Sequence, residues 1–192
     1  MRSKEDVSAH YDLGNDLYEA MLDPSMAYTC GYWKNAATLS EAQEAKLDLI
    51  CRKIGLKKGM RILDIGCGWG SFMSFASERY GAICDGLTLS KEQATMGQKK
   101  ADLAKLPIRF LLKDYREYKP EVKYDAVVSI GMIEHVGPKN YSDYFQCVDR
   151  FMSDEGIFLL HGIGSNVSKS DCEKWINKYI FPNGVIPSLS QL

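Results

Sequence analysis

The residues best placed to do chemistry lie where an apolar run, Arg61–Ile65, opens into Gly66-Cys67-Gly68-Trp69-Gly70 and then into a helix beginning at Ser71. Glycines at a strand-to-helix turn let the backbone approach a ligand closely. A dinucleotide site of the form G-x-G-x-x-G/A would place its third small residue on Ser71, whereas the glycines here read G-x-G-x-G, with Asp64 at the strand end. That carboxylate would repel a pyrophosphate and attract the cationic sulfonium and amino-acid part of S-adenosylmethionine. Asp64, Gly66, Gly68 and Gly70 are therefore read as contacts of S-adenosylmethionine rather than of NAD; on their own, such glycines serve tight strand–helix packing. Two further loops should complete the site. Thr88-Leu89-Ser90-Lys91-Glu92-Gln93 offers a hydroxyl and an amide to the ribose, with Asp85 nearby but of undetermined direction. Asp114-Tyr115-Arg116 offers a carboxylate to the adenine amino group and a ring to cover the base, the alternative for Asp114 being a helix cap.

The elements that must hold these loops follow from hydropathy. From Arg61 onward, short apolar runs alternate with amphipathic stretches, the pattern of a parallel sheet covered by helices. Strands are expected at Arg61–Ile65, Ala82–Leu87, Ile108–Leu112, Tyr124–Ile130 and Ile157–Ile163. Helices are expected at Ser71–Tyr80, from Ser90 with a Ser90/Gln93 capping box, and over Asn140–Met152 with Tyr144, Phe145, Val148 and Phe151 or Met152 inward. A helical preface comes first. Asn15–Leu22 stops at Asp23-Pro24, and a longer helix capped by Thr38 with Glu41 turns Ala42, Leu49, Ile50 and Ile54 to the core before Gly55. The chain reads as one domain, with a helical N-terminal cap over residues 1–58 and an α/β core over 59–192. After a helix around Trp175, Phe181-Pro182-Asn183-Gly184 signals a turn, and Pro187-Ser188 looks set to start another helix just before Leu192; the chain is read as a fragment.

Composition narrows the classes. With 192 residues, 45% of them hydrophobic, the chain can bury one substantial core, and a formal net charge of −1 argues against a nucleic-acid partner. The six cysteines include no C-x-x-C pair and are read as reduced thiols of a cytoplasmic protein; no metal site is read. No run approaches the roughly 20 apolar residues of a membrane span, so membrane contact is expected to be peripheral.

Motifs spread over nearly the whole chain carry a more specific resemblance. His10-Tyr11-Asp12-Leu13-Gly14-Asn15, Tyr28-Thr29-Cys30-Gly31-Tyr32-Trp33, Leu63-Asp64-Ile65-Gly66-Cys67-Gly68-Trp69-Gly70, Gly131-Met132-Ile133-Glu134-His135-Val136-Gly137, Leu159-Leu160-His161-Gly162-Ile163-Gly164 and Lys178-Tyr179-Ile180-Phe181-Pro182-Asn183-Gly184 occur in that order. The chain resembles the cyclopropane-fatty-acyl-phospholipid and mycolic acid cyclopropane synthases. The resemblance implies a Rossmann-like class I methyltransferase fold that adds a methylene carbon from S-adenosylmethionine to the cis double bond of an unsaturated phospholipid chain, with bicarbonate as base. It further implies that Cys30, Glu134, His161 and Ile163 hold bicarbonate, Cys30 and Ile163 through their backbones, and that Tyr28, Thr29, Gly66, Gly68, Thr88, Gln93, Tyr115 and Arg116 contact the cofactor. Taken singly, Cys30 reads as a small buried residue, His161 as a core histidine and Glu134-His135 as a helix cap. The implied partners are an unsaturated phospholipid at a peripheral membrane surface, and a homodimer is allowed. Residue 162 is glycine where relatives often have threonine. The last two strands of the usual seven, and a tyrosine that relatives supply to bicarbonate from beyond the fifth strand, fall outside this sequence. A methyltransferase acting on a small polar acceptor, and an inactive cofactor-binding fragment, remain as alternative readings.

Overall fold

The computed structural model describes residues 15–169, 173–179 and 184–192. Five strands form one parallel sheet: β1 (Arg61–Ile65), β2 (Ile83–Thr88), β3 (Ile108–Leu112), β4 (Tyr124–Ile130) and β5 (Met152–His161), in the order β3-β2-β1-β4-β5. The helices are α1 (Asn15–Met21), α2 (Leu39–Lys53), α3 (Ser71–Tyr80), α4 (Lys91–Leu103), α5 (Ile133–Val136), α6 (Tyr141–Phe151) and α7 (Lys174–Tyr179). The order reverses at β1, which pairs with β2 on one side and β4 on the other. In such sheets the crevice outside the carboxyl ends at the reversal point is where ligands bind.

Both faces of the sheet are covered. Ile62, Cys84, Ala126 and Val128 point to one face and pack with Leu47, Ile50 and Ile54 of the α2 segment and with Phe72, Met73 and Ala76 of α3. Leu63, Ile65, Leu87 and Val127 point to the other and meet Tyr144, Cys147, Val148 and Phe151 of α6. The alternation explains why the central strands β1 and β4 are apolar on consecutive residues: both of their faces are buried.

Several local expectations shift. In α2 it is Leu47 that is fully buried and Leu49 that is only half-buried, and the same face carries the buried polar residues Gln43 and Lys46. The Thr38/Glu41 capping box forms as read. At α4 the Ser90 side chain accepts from Gln93 N at 3.3 Å, but the Gln93 side chain turns to Thr88 instead of closing a box. The fifth strand starts at Met152, not Ile157, with an irregular register between Tyr124 and Ala126 that takes up Ser153-Asp154-Glu155-Gly156. Ser188 caps a short 3₁₀ turn, Leu189–Gln191, with a Gln191 capping box. The motif residues 10–14 and the Phe181-Pro182-Asn183 turn lie outside the described residues, as does Cys172. The five described cysteines, Cys30, Cys51, Cys67, Cys84 and Cys147, are free thiols. Among the described residues no helix is long and apolar enough to cross a membrane.

Candidate active site

The glycine turn is fastened to the neighbouring strand before it reaches α3. Gly66 N and Cys67 N both donate to Leu87 O, at 2.9 and 3.0 Å, and Gly70 N closes back onto Cys67 O at 2.9 Å. Gly68 and Gly70 have φ of +55° and +84°, the left-handed region that L side chains avoid. A Cβ on Gly70 would strike the Phe110 ring, whereas one on Gly68 would meet nothing within 4 Å and would project into open space. Gly68 is part of the lining of a cleft, together with Asp64, Gly66, Lys46 and Gln93.

The inner wall of the cleft includes Asp64, Gly66 and Gly68; Gln93 closes one end and Tyr28 and Thr29 form the outer wall. Asp64 is 2% exposed and its Oδ1 has no hydrogen-bond partner. Burial pushes its carboxyl up to about 7, against a smaller downward pull from the Lys46 ammonium. Ser129 Oγ donates to Ile65 O at 3.1 Å and ties the end of β4 to the end of β1 beneath the turn.

The outer wall belongs to no strand. Asp23 takes N–H from Ser25 (3.1 Å) and Ala27 (3.3 Å), and Met26 N donates to Asp23 O. These bonds hold Met26 in a left-handed conformation, φ +59°, with its side chain buried beside Tyr18 and Trp69. Gln43 and Lys46 secure the wall from α2. Gln43 Nε2 donates to Ala27 O at 3.2 Å and Thr29 O at 2.7 Å, leaving its Oε1 without a hydrogen-bond partner; Lys46 Nζ donates to Thr29 Oγ1 at 2.8 Å. Neither residue is legible from a sequence motif. The one available signal is that both fall on the inward face with Leu47 and Ile50.

At the far end of the sheet, α5 follows β4 directly and presents Glu134 to the end of β5. Glu134 Oε1 accepts from Ile163 N at 2.6 Å, while Oε2 is buried without a partner. His161 closes β5 with Nε2 3.6 Å from Cys30 Sγ and Nδ1 buried without a partner. Burial and the Lys46 cation hold the imidazole below the ordinary range of a histidine, with Glu134 opposing. The structure therefore brings Cys30, Glu134, His161 and Ile163 together, but the Ile163 N–H is occupied by Glu134 and Cys30 meets His161 through its sulfur. Gly162 matters to this packing: a Cβ there would lie 2.7 Å from Ile133 Cγ2 and 3.2 Å from Glu134 Oε1.

Other expected contacts stand apart from the cleft wall. Thr88 Oγ1 lies 3.1 Å from Gln93 Oε1 and accepts from Ser90 N. Asp114 is buried and its carboxylate is gripped by Arg116 through N, Nε and Nη2, at 3.0, 2.9 and 2.6 Å; this Asx turn with an ion pair replaces the plain helix cap of the alternative reading. The Tyr115 ring packs edge-on against Tyr144 with the Arg116 guanidinium 5.7 Å above it, and burial pushes its hydroxyl up to about 12. Asp85 is neither exposed nor turned to the cleft. It takes two bonds from Arg109 (3.0 and 2.9 Å) and one from Tyr124 OH (2.6 Å) on the α6 side of the sheet.

A parallel sheet reversing at β1, with a glycine turn over a buried acid at that point, is the fold of the class I S-adenosylmethionine-dependent methyltransferases. Coclaurine N-methyltransferase bound to N-methylheliamine and SAH shares the fold at 25% identity and a TM-score of 0.88, over 98% of this chain and 56% of that one. The family is narrower: residues 1–192 match mycolic acid cyclopropane synthetase, and the chain belongs to that family. It is 52% identical over 183 residues to the cyclopropane-fatty-acyl-phospholipid synthase of Escherichia coli, covering 95% of this chain and 47% of that protein. It is 37% identical to mycolic acid cyclopropane synthase CmaA1 complexed with SAH and CTAB, with a TM-score of 0.89 over 98% of this chain and 71% of that one. The chain spans about half the length of that Escherichia coli synthase and of a probable fatty acid methyltransferase of Pseudomonas putida.

Proposed function

We propose that the chain binds S-adenosylmethionine across the carboxyl ends of β1 and β2 and adds its methyl carbon to the cis double bond of an unsaturated phospholipid chain, forming a cyclopropane ring with bicarbonate as base. The observation that carries this reading is a set of three buried atoms without hydrogen-bond partners at adjoining strand ends: Asp64 Oδ1, Glu134 Oε2 and His161 Nδ1. A bound cofactor and anion would account for polar atoms that are otherwise costly to bury.

S-adenosylmethionine supplies an electrophilic methyl group: the alkene π pair forms a C–C bond as the S–C bond breaks, and loss of one proton from that methyl lets the C–H pair close the ring. Bicarbonate, when bound, would supply the base for that proton. The donor set suits such an anion. Glu134, through Oε2, and neutral His161, through Nδ1, would hold it, with Cys30 Sγ against Nε2 setting the plane of the imidazole. The Ile163 N–H holds the Glu134 carboxylate in place for that task. Because the positive charge that develops on the substrate must be kept from water, the site gains more from a placed base than from nucleophile activation. Asp64 receives the cofactor's α-ammonium, and Tyr28, Thr29, Gly66, Gly68 and Gln93 line the cleft around the remainder; Gly70, Thr88, Asp114, Tyr115 and Arg116, outside that wall, are assigned to the cofactor from the sequence motifs, with residues 1–58 as a helical cap on the 59–192 core. On this reading the protein is cytoplasmic and works at a membrane surface.

The test is to incubate the full protein with methyl-labelled S-adenosylmethionine and vesicles of cis-monounsaturated phospholipid, with and without added bicarbonate. Labelled cyclopropane acyl chains, formed faster with bicarbonate, are expected. Binding of S-adenosylhomocysteine with label passing only to small amines or alcohols would overturn the lipid reading, and binding without any transfer would mark a cofactor-binding fragment.

A further inference from the structure

Two oppositely charged side chains face the same cleft without meeting. Lys46 is 4% exposed and Asp64 2%, both line the cavity, and no salt bridge within 4 Å joins them. Each has unused capacity. The Lys46 ammonium carries three donors and spends one on Thr29 Oγ1; Asp64 Oδ1 accepts nothing. A buried charge normally has a partner or gives up its charge. Both groups lean towards neutrality: burial pulls Lys46 down to about 8 and pushes Asp64 up to about 7. The titratable groups that face Lys46 from the elements around it are Asp23, Cys30, Asp64 and His161, and no salt bridge joins Lys46 to either carboxylate. A ligand that supplies an anion to one group and a cation to the other would satisfy both.

We propose, resting on the cofactor reading above, that Lys46 is a recognition residue for the amino-acid end of the cofactor: its ammonium binds the α-carboxylate while Asp64 takes the α-ammonium. The spacing then selects a zwitterion, not merely an adenosine. Thr29 Oγ1 holds the ammonium at the wall, and Gln43 fixes the Thr29 carbonyl beside it, so the charge is placed before the ligand arrives. Hydrogen bonds to charged groups in such a setting are each worth about 1.5–3 kcal/mol, equivalent to about 10- to 100-fold in affinity.

The experiment compares S-adenosylhomocysteine with 5′-methylthioadenosine, which keeps the adenosine and thioether but lacks the amino-acid end, by calorimetric titration of the full protein. The wild type should prefer S-adenosylhomocysteine by well over about 10-fold. Lys46→Met should lower affinity for S-adenosylhomocysteine by about 10- to 100-fold and leave that for 5′-methylthioadenosine within about threefold; Lys46→Arg should restore most of the loss. Equal weakening of both ligands in Lys46→Met would mean that Lys46 only shapes the wall through Thr29, and would overturn the proposal. The wild-type comparison stands even if Lys46→Met fails to fold, because equal affinity for the two ligands would show that no zwitterion is read. Absence of S-adenosylhomocysteine binding to the wild type would instead remove the cofactor reading itself.

Discussion

Replacing Asp64 by Asn should make the ligand-free protein more stable and a poorer binder, and the gain should depend on pH. The Asp64 carboxyl titrates at about 7 in the folded protein against an ordinary 3.8. Between those values the folded state holds a proton that the unfolded state has released, so stability falls as pH rises through the window, and the full cost is present above about 7. Each tenfold in proton affinity corresponds to about 1.4 kcal/mol, which gives roughly 4 kcal/mol at pH 8 and under about 2 kcal/mol at pH 5. An amide in the same place still loses its water, at a cost of about 1–2 kcal/mol, and Lys46 loses a counter-charge. The net expectation for Asp64→Asn is a gain of about 2 kcal/mol at pH 8 that vanishes near pH 5, together with at least about 10-fold weaker S-adenosylhomocysteine binding. Urea denaturation of both proteins at the two pH values measures the first, and calorimetry the second. A loss of stability at pH 8, or a larger gain at pH 5 than at pH 8, would refute the assignment of Asp64 as a carboxylate buried at a cost.

Gly68→Val should fold, less stably by about 1–2 kcal/mol because of its left-handed backbone, and lose S-adenosylhomocysteine binding because its side chain enters the open cleft; retained affinity in titration would count against the site. Glu134→Gln keeps an acceptor for Ile163 N but removes the charge, so turnover on lipid vesicles should fall about 10²-fold while cofactor affinity holds. Equal losses would reassign Glu134 to cofactor binding. Gln43→Leu leaves the Ala27 and Thr29 carbonyls without their side-chain donor and should cost about 2–3 kcal/mol in thermal unfolding; a neutral result would mean that the outer wall is held by other bonds.

The parts of the fold that read directly from the sequence are those where one physical signal dominates. The β1 and β4 runs, apolar on both faces and bounded by glycine, could be placed to the residue. Ser153-Asp154-Glu155-Gly156 reads as a turn, yet the strand passes through it because a register irregularity against β4 absorbs the extra residues. Asp85 illustrates a second limit. Alternation alone cannot tell which face a buried acid occupies until Arg109 and Tyr124, from two other strands, are known to meet it. The site divides in the same way. The glycine turn and Asp64 are contiguous in the chain and stand out as a spacing, and Glu134 and His161 stand out through the family motifs. Gln43 and Lys46 sit mid-helix among Ala42, Leu47 and Ile50 and look like ordinary polar helix residues, since what they hold, the carbonyls and hydroxyl of Ala27–Thr29, is a backbone path with no pattern of its own. Asp114 and Arg116 are adjacent in sequence, but their mutual grip emerges only once the turn is folded.

Because the outer wall is fastened by the side chains of Asp23, Gln43 and Lys46 and by no strand ladder, its peptide groups are shielded from solvent by contacts that break one at a time. Such a segment opens with less free energy than the sheet beneath it. The Ala27 amide, whose hydrogen bond is to the Asp23 carboxylate, should therefore exchange its proton for deuterium through local opening, whereas those of β1 and β4 should wait for global unfolding. Any molecule that spans from Asp64 to Thr29 must leave before the wall can part, so at a concentration 100 times its dissociation constant it slows that amide by about 100-fold. The protection of one backbone proton in this short wall becomes a direct reading of how full the cleft is.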